Sequence, residues 1–318
     1  MAVAVTTTFT KEERMKYIGG SDIAKVMGLS RWGTPLKLWA EKTGKLDPPD
    51  LSDVEAVEMG NDLEEFVAQK FSQKTGKAVR RAPKEYYHKD YAFMTAHLDR
   101  LVTGSDELLE CKTCSLWKKD EWANDDIPQE YILQVMWYLG ITGRKVGHIA
   151  VLIGGQSFKY KQIDFNQELF DTMIEQAIEF WEHVKNDTPP AIMPEDDETL
   201  KEMFSTHSDE MIEMYDDGTE KTKEALVDFE TAVANLQETK AHISDLESEK
   251  KAIETNIKNL IQDSLGIKTP KYKITWKEQA KTNVNTQALK DDGVYEKYST
   301  KSSYRVLRIT NNKESEVA

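Results

Sequence analysis

Between Gly218 and Gly266 lie 47 consecutive residues without a glycine or a proline. Apolar side chains recur there at Leu226, Phe229, Val233, Leu236, Ile243, Leu246, Ile253, Ile257 and Leu260. That near 3-4 alternation is the spacing of one helix face. A helix of about 45 residues is roughly 70 Å long, more than twice the width of a small domain. Such a seam must pack on something, itself or a partner, and Lys240 and Lys250 interrupt it. The chain is therefore divided, and its main globular domain must be built before residue 219.

Charge marks the boundary. Residues 187–217 hold 11 acidic residues and one basic residue, just after Asn186 and around Pro189-Pro190. Residues 1–186 have net charge −5 and residues 218–318 net +1, so one acidic connector supplies most of the total of −14. Total charge thus neither favours nor excludes a nucleic-acid partner. The expected organisation is a domain at 1–190, a connector at 191–218, a coiled-coil-like helix at 219–266 and a small β-rich region at 267–318. In the last, Tyr272–Trp276 and Ser303–Arg308 alternate like strands, and the final KESEVA is expected to fray. No run approaches the ~20 apolar residues of a membrane helix. The N-terminus lacks the basic-then-apolar order of a secretory signal, and two cysteines make no disulfide framework. A cytoplasmic protein is expected.

The first 190 residues alternate helix and strand signals. Thr10 with Glu13 reads as a capping box opening a helix through Tyr17. Ser21 reads as the N-cap of a helix with Ile23, Val26 and Met27 on its apolar face and Gly28 as its stop. Thr34-Pro35 opens a helix ending near Gly44. Residues 55–74 form a longer one with Met59, Leu63, Phe66, Val67 and Phe71 turned inward. Strands are expected at 78–81, 85–88, 91–102 and 108–114, the last two a hairpin around Gly104. A helix from Pro128 to Leu139, a hairpin of 145–153 with 157–164, and a helix over 167–185 follow. The implied class is α/β, a central mixed sheet flanked by helices.

The chemistry is concentrated in L-L-E-C-K-T-C-S, residues 108–115. On a strand, residues two apart share a face. Glu110 and Lys112 therefore project together, with Cys114 on their side and Cys111 on the other. Asp99 lies across the turn, where antiparallel pairing brings it beside Glu110. Adjacent carboxylates repel unless a cation lies between them, an arrangement suited to a hard, oxygen-seeking metal such as Mg²⁺. A neighbouring lysine can hold the attacking water and offset charge in a phosphoryl transition state. Glu64, on the helix upstream, can add a further carboxylate. Tyr131, Gln134 and Tyr138 share one face of the helix after the hairpin. Gly19-Gly20-Ser21 before a helix start is a candidate phosphate cradle, with Arg14 and Arg31 in reach. Arg80-Arg81 with Lys84 reads as a DNA-backbone patch or a solvated strand.

Taken in order, Arg14, G-G-S-D-I-A (19–24), W-G-T-P-x-x-L-W (32–39), G-x-x-x-E-x-x-x-A (60–68), Asp99, L-L-E-x-K (108–112) and Y-x-x-Q-V-x-x-Y (131–138) resemble the YqaJ-type viral recombinases. These are relatives of lambda exonuclease within the PD-(D/E)xK nucleases. The resemblance spans about residues 10–185. It implies a restriction-endonuclease-like fold and a Mg²⁺-dependent exonuclease, with Mn²⁺ as a substitute, digesting one strand of linear duplex DNA from its 5′ end. It further implies 3′ overhangs passed to a RecT-type single-strand annealing protein, a ring-shaped homotrimer around the DNA, and a phage or prophage origin. By motif, Asp99, Glu110, Glu64 and the carbonyl of Cys111 would hold the metal, and Lys112 would position water. Arg14, Ser21 and Gln134 would hold the terminal 5′-phosphate, with Tyr131 beside them. One departure stands out. The family's S-P-D-G is here His97-Leu98-Asp99-Arg100.

Other readings compete. One is an endonuclease of the same fold, and another is a non-catalytic DNA-binding recombination factor whose working part is the long helix. A metal–thiolate site on Cys111 and Cys114 is disfavoured, since a cluster takes four cysteines and no histidine has zinc-finger spacing. The C-terminal region offers Lys268, Lys271, Lys273 and Lys277 as a DNA clamp, a contact for the annealing protein, or an aid to trimerisation.

Overall fold

The computed structural model describes residues 11–82, 85–124, 126–206, 210–215 and 217–301, with Leu307 and Ile309. Thr10 of the expected capping box, Lys84, the final KESEVA and, apart from Leu307, the strand expected at 303–308 lie outside the described residues. The chain falls into two compact units, Met1–Ser205 and Thr206–Ala318.

The first unit opens with two single-turn helices, α1 (Lys11–Arg14) and α2 (Ile23–Val26). Helix α3 (Pro35–Lys42) starts where proline suits an N-terminus, and the Thr34 side chain accepts from the Lys37 N–H at 3.1 Å. Helix α4 (Glu55–Thr75) ends at Gly76, whose φ of 74° is the left-handed cap glycine provides. Short strands β1 (Val79–Arg81), β2 (Tyr86–Tyr87), β3 (Thr95–Ala96) and β4 (Arg100–Val102) lead into β5 (Glu107–Cys114). Then come α5 (Gln129–Thr142), β6 (Val146–Ile153), β7 (Ser157–Asp164), α6 (Gln167–Lys185) and α7 (Asp197–Met203).

The main sheet runs β1-β4-β5-β6-β7, parallel between β5 and β6 and antiparallel elsewhere. It is the expected α/β class, a mixed sheet flanked by helices. Strand β6 is V-G-H-I-A-V-L-I and is buried from Gly147 onward, as a central strand covered on both faces should be. Its side chains alternate between two cores. Ile149, Val151 and Ile153 join Leu108, Trp137 and Leu139 under α5, whereas Ala150 and Leu152 join Leu109 and α4's Val67, Ala68 and Phe71. Of the α4 residues expected to face inward, Met59 and Phe66 are instead exposed: Met59 lies in the N-terminal half, where no residue of α4 is buried, and Phe66 lies off the face that Val67, Ala68 and Phe71 turn to the sheet.

The strand expected at 91–102 is broken at His97–Leu98–Asp99. Before the break the segment is bridged by Ile18, whose N–H donates to the Phe93 carbonyl at 2.7 Å and whose carbonyl accepts from the Thr95 N–H at 2.9 Å. Strand β3 then pairs with β2, while β4 joins β1 and β5. Asp99 sits at the break.

Part of the acidic segment is folded. Asp196 is buried, accepts from the Met193 N–H at 2.7 Å and receives the Thr34 hydroxyl. In the second unit, α8 (Glu220–Ile261) is one continuous helix, capped by Thr219. Strands β8 (Gly266–Lys268) and β9 (Lys273–Thr275) pair as a hairpin. Two short helices that were read as strand-rich sequence follow, α9 (Thr286–Asp291) and α10 (Tyr295–Tyr298). Residues 286–291 carry one strong local start, Asn285 accepting from the Ala288 N–H at 3.0 Å, a cap that favours helix over the expected strand.

Candidate active site

The β4–β5 register pairs Arg100 with Leu109 and Leu101 with Leu108. Extended one residue past the strand, it sets Asp99 opposite Glu110. Asp99 turns back onto the ladder, its Oδ2 accepting from the Cys111 N–H at 2.8 Å. Lys112 donates from Nζ to Glu110 Oε1 at 2.6 Å, and Gln134 on α5 donates from Nε2 to the same oxygen at 2.8 Å. The Gln134 amide also donates to the Tyr138 hydroxyl at 2.9 Å. Parity therefore sorts β5 as expected: Glu110 and Lys112 face α5 with Cys114, whereas Cys111 packs with Leu109 under α4. Both thiols are free. Burial pushes the Cys111 thiol far above its ordinary range, so it stays protonated and unreactive.

The centre carries unbalanced negative charge. Burial, then the Glu110 carboxylate, push Asp99 well above the usual carboxylate range, against the pull of Lys112 and the Cys111 N–H. Burial works against the Lys112 ammonium, but Glu110 and Asp99 outweigh it and hold it above its ordinary range. The second oxygen of Glu110, Oε2, is buried and has no hydrogen-bond partner. An orphaned carboxylate oxygen beside a second crowded carboxylate is the donor set a hard divalent cation fits.

Glu64 stands at the edge of this pair. Its carboxylate is ion-paired with Arg100, whose guanidinium also reaches Glu65 Oε2 at 3.0 Å and the Asp99 carbonyl at 2.8 Å. Arg100 is only 3% exposed. The arginine that departs from the S-P-D-G pattern thus ties α4 to the Asp99 turn. Among the described residues, no three His, Cys, Asp or Glu side chains are gathered into a metal cage. Lys112 and Arg100 each draw a carboxylate toward themselves.

The residues expected at a 5′-phosphate divide into two groups. Gln134 and Tyr131 are at the centre, the Tyr131 ring 5.0 Å from Lys112 Nζ and stacked on the buried Trp122. Arg14 and Ser21 are exposed, and no hydrogen bond or ion pair among the described residues joins them to Gln134 or Tyr131. Their loop is nonetheless held close. A Cβ on Gly20 would lie 2.3 Å from the Tyr138 ring, so only glycine permits this approach. Lys42 Nζ fastens the loop by donating to the carbonyls of Arg14 and Tyr17, each at 2.6 Å, and to Asp22 Oδ2 at 2.9 Å.

Three local expectations are corrected. Asp22, not Ser21, occupies the N-cap position, and it makes no side-chain cap bond because its carboxylate is turned to Lys42 and the Gly19 N–H. The Gly19 N–H is therefore not open to an anion, and α2 is too short for a substantial dipole. Arg31 is held by Glu121 at 2.7 Å and Glu130 at 2.6 Å, so it does not serve the glycine turn. Asp22, Lys42, Arg100 and Trp122 were not assigned roles from sequence. The D of G-G-S-D-I-A and the arginine standing where the family has glycine are the sequence signals for Asp22 and Arg100.

Comparison with known proteins adds to this geometry. A model of the YqaJ-like viral recombinase domain matches residues 11–145. The uncharacterized protein YqaJ of Bacillus subtilis (strain 168) is 35% identical over 305 residues, covering 93% of this chain and 92% of that one. Among solved structures, the alkaline exonuclease LHK-Exo of Laribacter hongkongensis is similar at 19% identity and a TM-score of 0.47, over 55% of this chain and 90% of that chain. Its complex with dAMP gives 20% identity and a TM-score of 0.48, over 60% and 94%.

Proposed function

The chain belongs to the family of YqaJ-like viral recombinase domains, and from that premise we propose that it is a metal-dependent deoxyribonuclease digesting linear duplex DNA from the 5′ end. One observation carries the reading. Asp99 and the orphaned Oε2 of Glu110 are crowded together on the side of the sheet from which Lys112 projects. Family membership and that carboxylate–lysine set support a nuclease. Polarity and strand choice rest on the resemblance.

In this reading Asp99, Glu110, Glu64 and the Cys111 carbonyl hold Mg²⁺, with Mn²⁺ as a substitute. When bound, the metal supplies Lewis-acid stabilisation of charge on the scissile phosphate. Gln134 keeps Glu110 oriented from α5, leaving Oε2 for the cation. The Lys112 ammonium orients the attacking water and offsets charge developing on the phosphoryl oxygens. Tyr131 fixes that ammonium from below by a cation–π contact. Ser21 and Arg14 receive the terminal phosphate, Gln134 being committed to Glu110 and Tyr138 through both of its amide hydrogens, and the 3′ overhang passes to a RecT-type annealing protein. A homotrimer enclosing the duplex would make digestion processive. No described helix is long and apolar enough to cross a membrane.

The test is a time course on 5′-phosphorylated linear duplex with each strand separately labelled, in Mg²⁺ and in EDTA. Release from the 5′ end of one strand in Mg²⁺ alone is expected. Cutting of closed circles would move the reading to an endonuclease, and tight end binding without release in Mg²⁺ or Mn²⁺ would leave a non-catalytic binding factor.

A further inference from the structure

Beside the catalytic centre is a groove of about 630 Å³ between α4 and the sheet edge. Gln69, Ser72 and Gln73 of α4 form one wall, and Arg80, Arg81 and Arg100 the other. Arg81 pairs directly across from Arg100 in the β1–β4 ladder. Like charges opposite one another cost a sheet stability, and here Arg100 is offset by direct ion pairs with Glu64 and Glu65, whereas Arg81 has only the longer-range attraction of Glu65. Glu65 is the one carboxylate among the described lining residues, and Arg100 already engages it. Arg80 and Arg81 are exposed and have no ion pair within 4 Å among the described residues. The groove therefore has a surplus of guanidinium charge in a protein of net charge −14.

Two uses fit arginines on an edge strand. Charge there blocks the addition of further strands, but that role needs no groove and no facing wall of amides and a hydroxyl. A phosphodiester backbone needs both. It presents closely spaced anionic oxygens for guanidinium forks and sugar and ester oxygens for neutral donors. The groove also has a fixed relation to the chemistry, because Arg100 lines it and donates to the Asp99 carbonyl at 2.8 Å.

We propose that this groove binds the sugar–phosphate backbone of DNA beside the phosphate being cleaved, with Arg80 and Arg81 each neutralising one phosphate. The assignment rests on the nuclease reading for its neighbour, but its own test needs no hydrolysis. Anisotropy of a labelled duplex in EDTA, titrated over a range of salt, reads affinity and counterion release together. R80A/R81A should bind about tenfold more weakly at 0.15 M salt, and its log–log salt slope should fall by about 1.8, the value for two phosphate contacts. R80K/R81K should keep the wild-type slope, which a merely damaged fold would not do. Unchanged affinity and slope in the alanine variant, or a lysine variant that behaves like alanine, would overturn the groove. If binding depends on both arginines while the wild-type protein releases no nucleotide in Mg²⁺ or Mn²⁺, the nuclease reading fails and the groove stands.

Discussion

Two half-buried carboxylates in the first unit are treated in opposite ways. Asp22 is met by Lys42 at 2.9 Å and by the Gly19 N–H at 3.3 Å. Burial raises its proton affinity, but Lys42, then Lys25, and those hydrogen bonds outweigh it, leaving its carboxyl below the ordinary range. Asp99 has one backbone N–H and a lysine that another carboxylate also claims, and burial with Glu110 holds it well above that range. The first site is electrostatically complete and ties a loop to a helix. The second is short of positive charge. That difference separates a charge-matched pair from one that lacks its full complement of positive charge.

The largest expected effect comes from breaking the incomplete site. Lys112→Ala should lower DNA hydrolysis by about 10²–10³-fold, the scale of removing one preorganised donor from a transition state, measured as nucleotide release under single-turnover conditions. Asp99→Asn should lose at least as much, with little loss of fold.

Breaking the complete site should do the reverse. The Lys42 side chain is 6% exposed and that of Asp22 17%. Lys42→Ala removes the cation and leaves Asp22 uncompensated, so the fold should lose about 3–5 kcal/mol, the cost of stripping one partner from a buried pair. Chemical denaturation checks this. Asp22→Asn should cost less, about 1–3 kcal/mol, since a neutral acceptor remains for the Gly19 N–H.

A smaller effect of opposite sign is expected for Asp99→Asn on stability. Removing a charge that burial and Glu110 disfavour should raise the melting temperature of the metal-free protein. About 1 kcal/mol is reasonable for relieving one such charge, or about 2–4 °C for a unit of this size. A lower melting temperature would show that Asp99 is a structural carboxylate after all, and the contrast with Asp22 would collapse.

How much of this contrast could be read in advance differs by residue. Strand β6 was legible because a covered central strand needs an unbroken apolar run, and α6 because its capping Asn166 and its periodicity agree. The juxtaposition of Asp99 and Glu110 was legible because strand parity and a short hairpin leave few registers. The break at His97–Asp99 was not, since the segment before it pairs with Ile18, more than seventy residues earlier in the chain, and with β2. Local capping preference chose Ser21 over Asp22, and a lysine twenty residues away reversed the choice. Local rules were overridden where a distant partner supplied more than a local cap is worth. Arg100 is the same lesson beside Asp99, a departure from the family pattern whose partners, Glu64 and Glu65, lie on a helix about 35 residues upstream.

The finest test of the comparison is the acid limb of stability. The Asp22 carboxyl is lowered in the folded state, so the unfolded chain binds its proton first as pH falls. Its contribution is fully present above the unfolded value of about 3.9 and is lost as pH drops through the lower folded value. Asp99 runs the other way, because a carboxyl raised on folding takes up its proton in the native state first and relieves strain as pH falls. Denaturation midpoints of wild type, D22N and D99N in EDTA should therefore diverge. Below about pH 4, D22N should lose less stability than wild type, since it has no Asp22 contribution left to forfeit. D99N should lead wild type most near neutrality and converge with it as Asp99 protonates. Parallel curves for all three would mean that both carboxylates titrate alike, and that the charge imbalance distinguishing the Asp99–Glu110 pair is too small to matter.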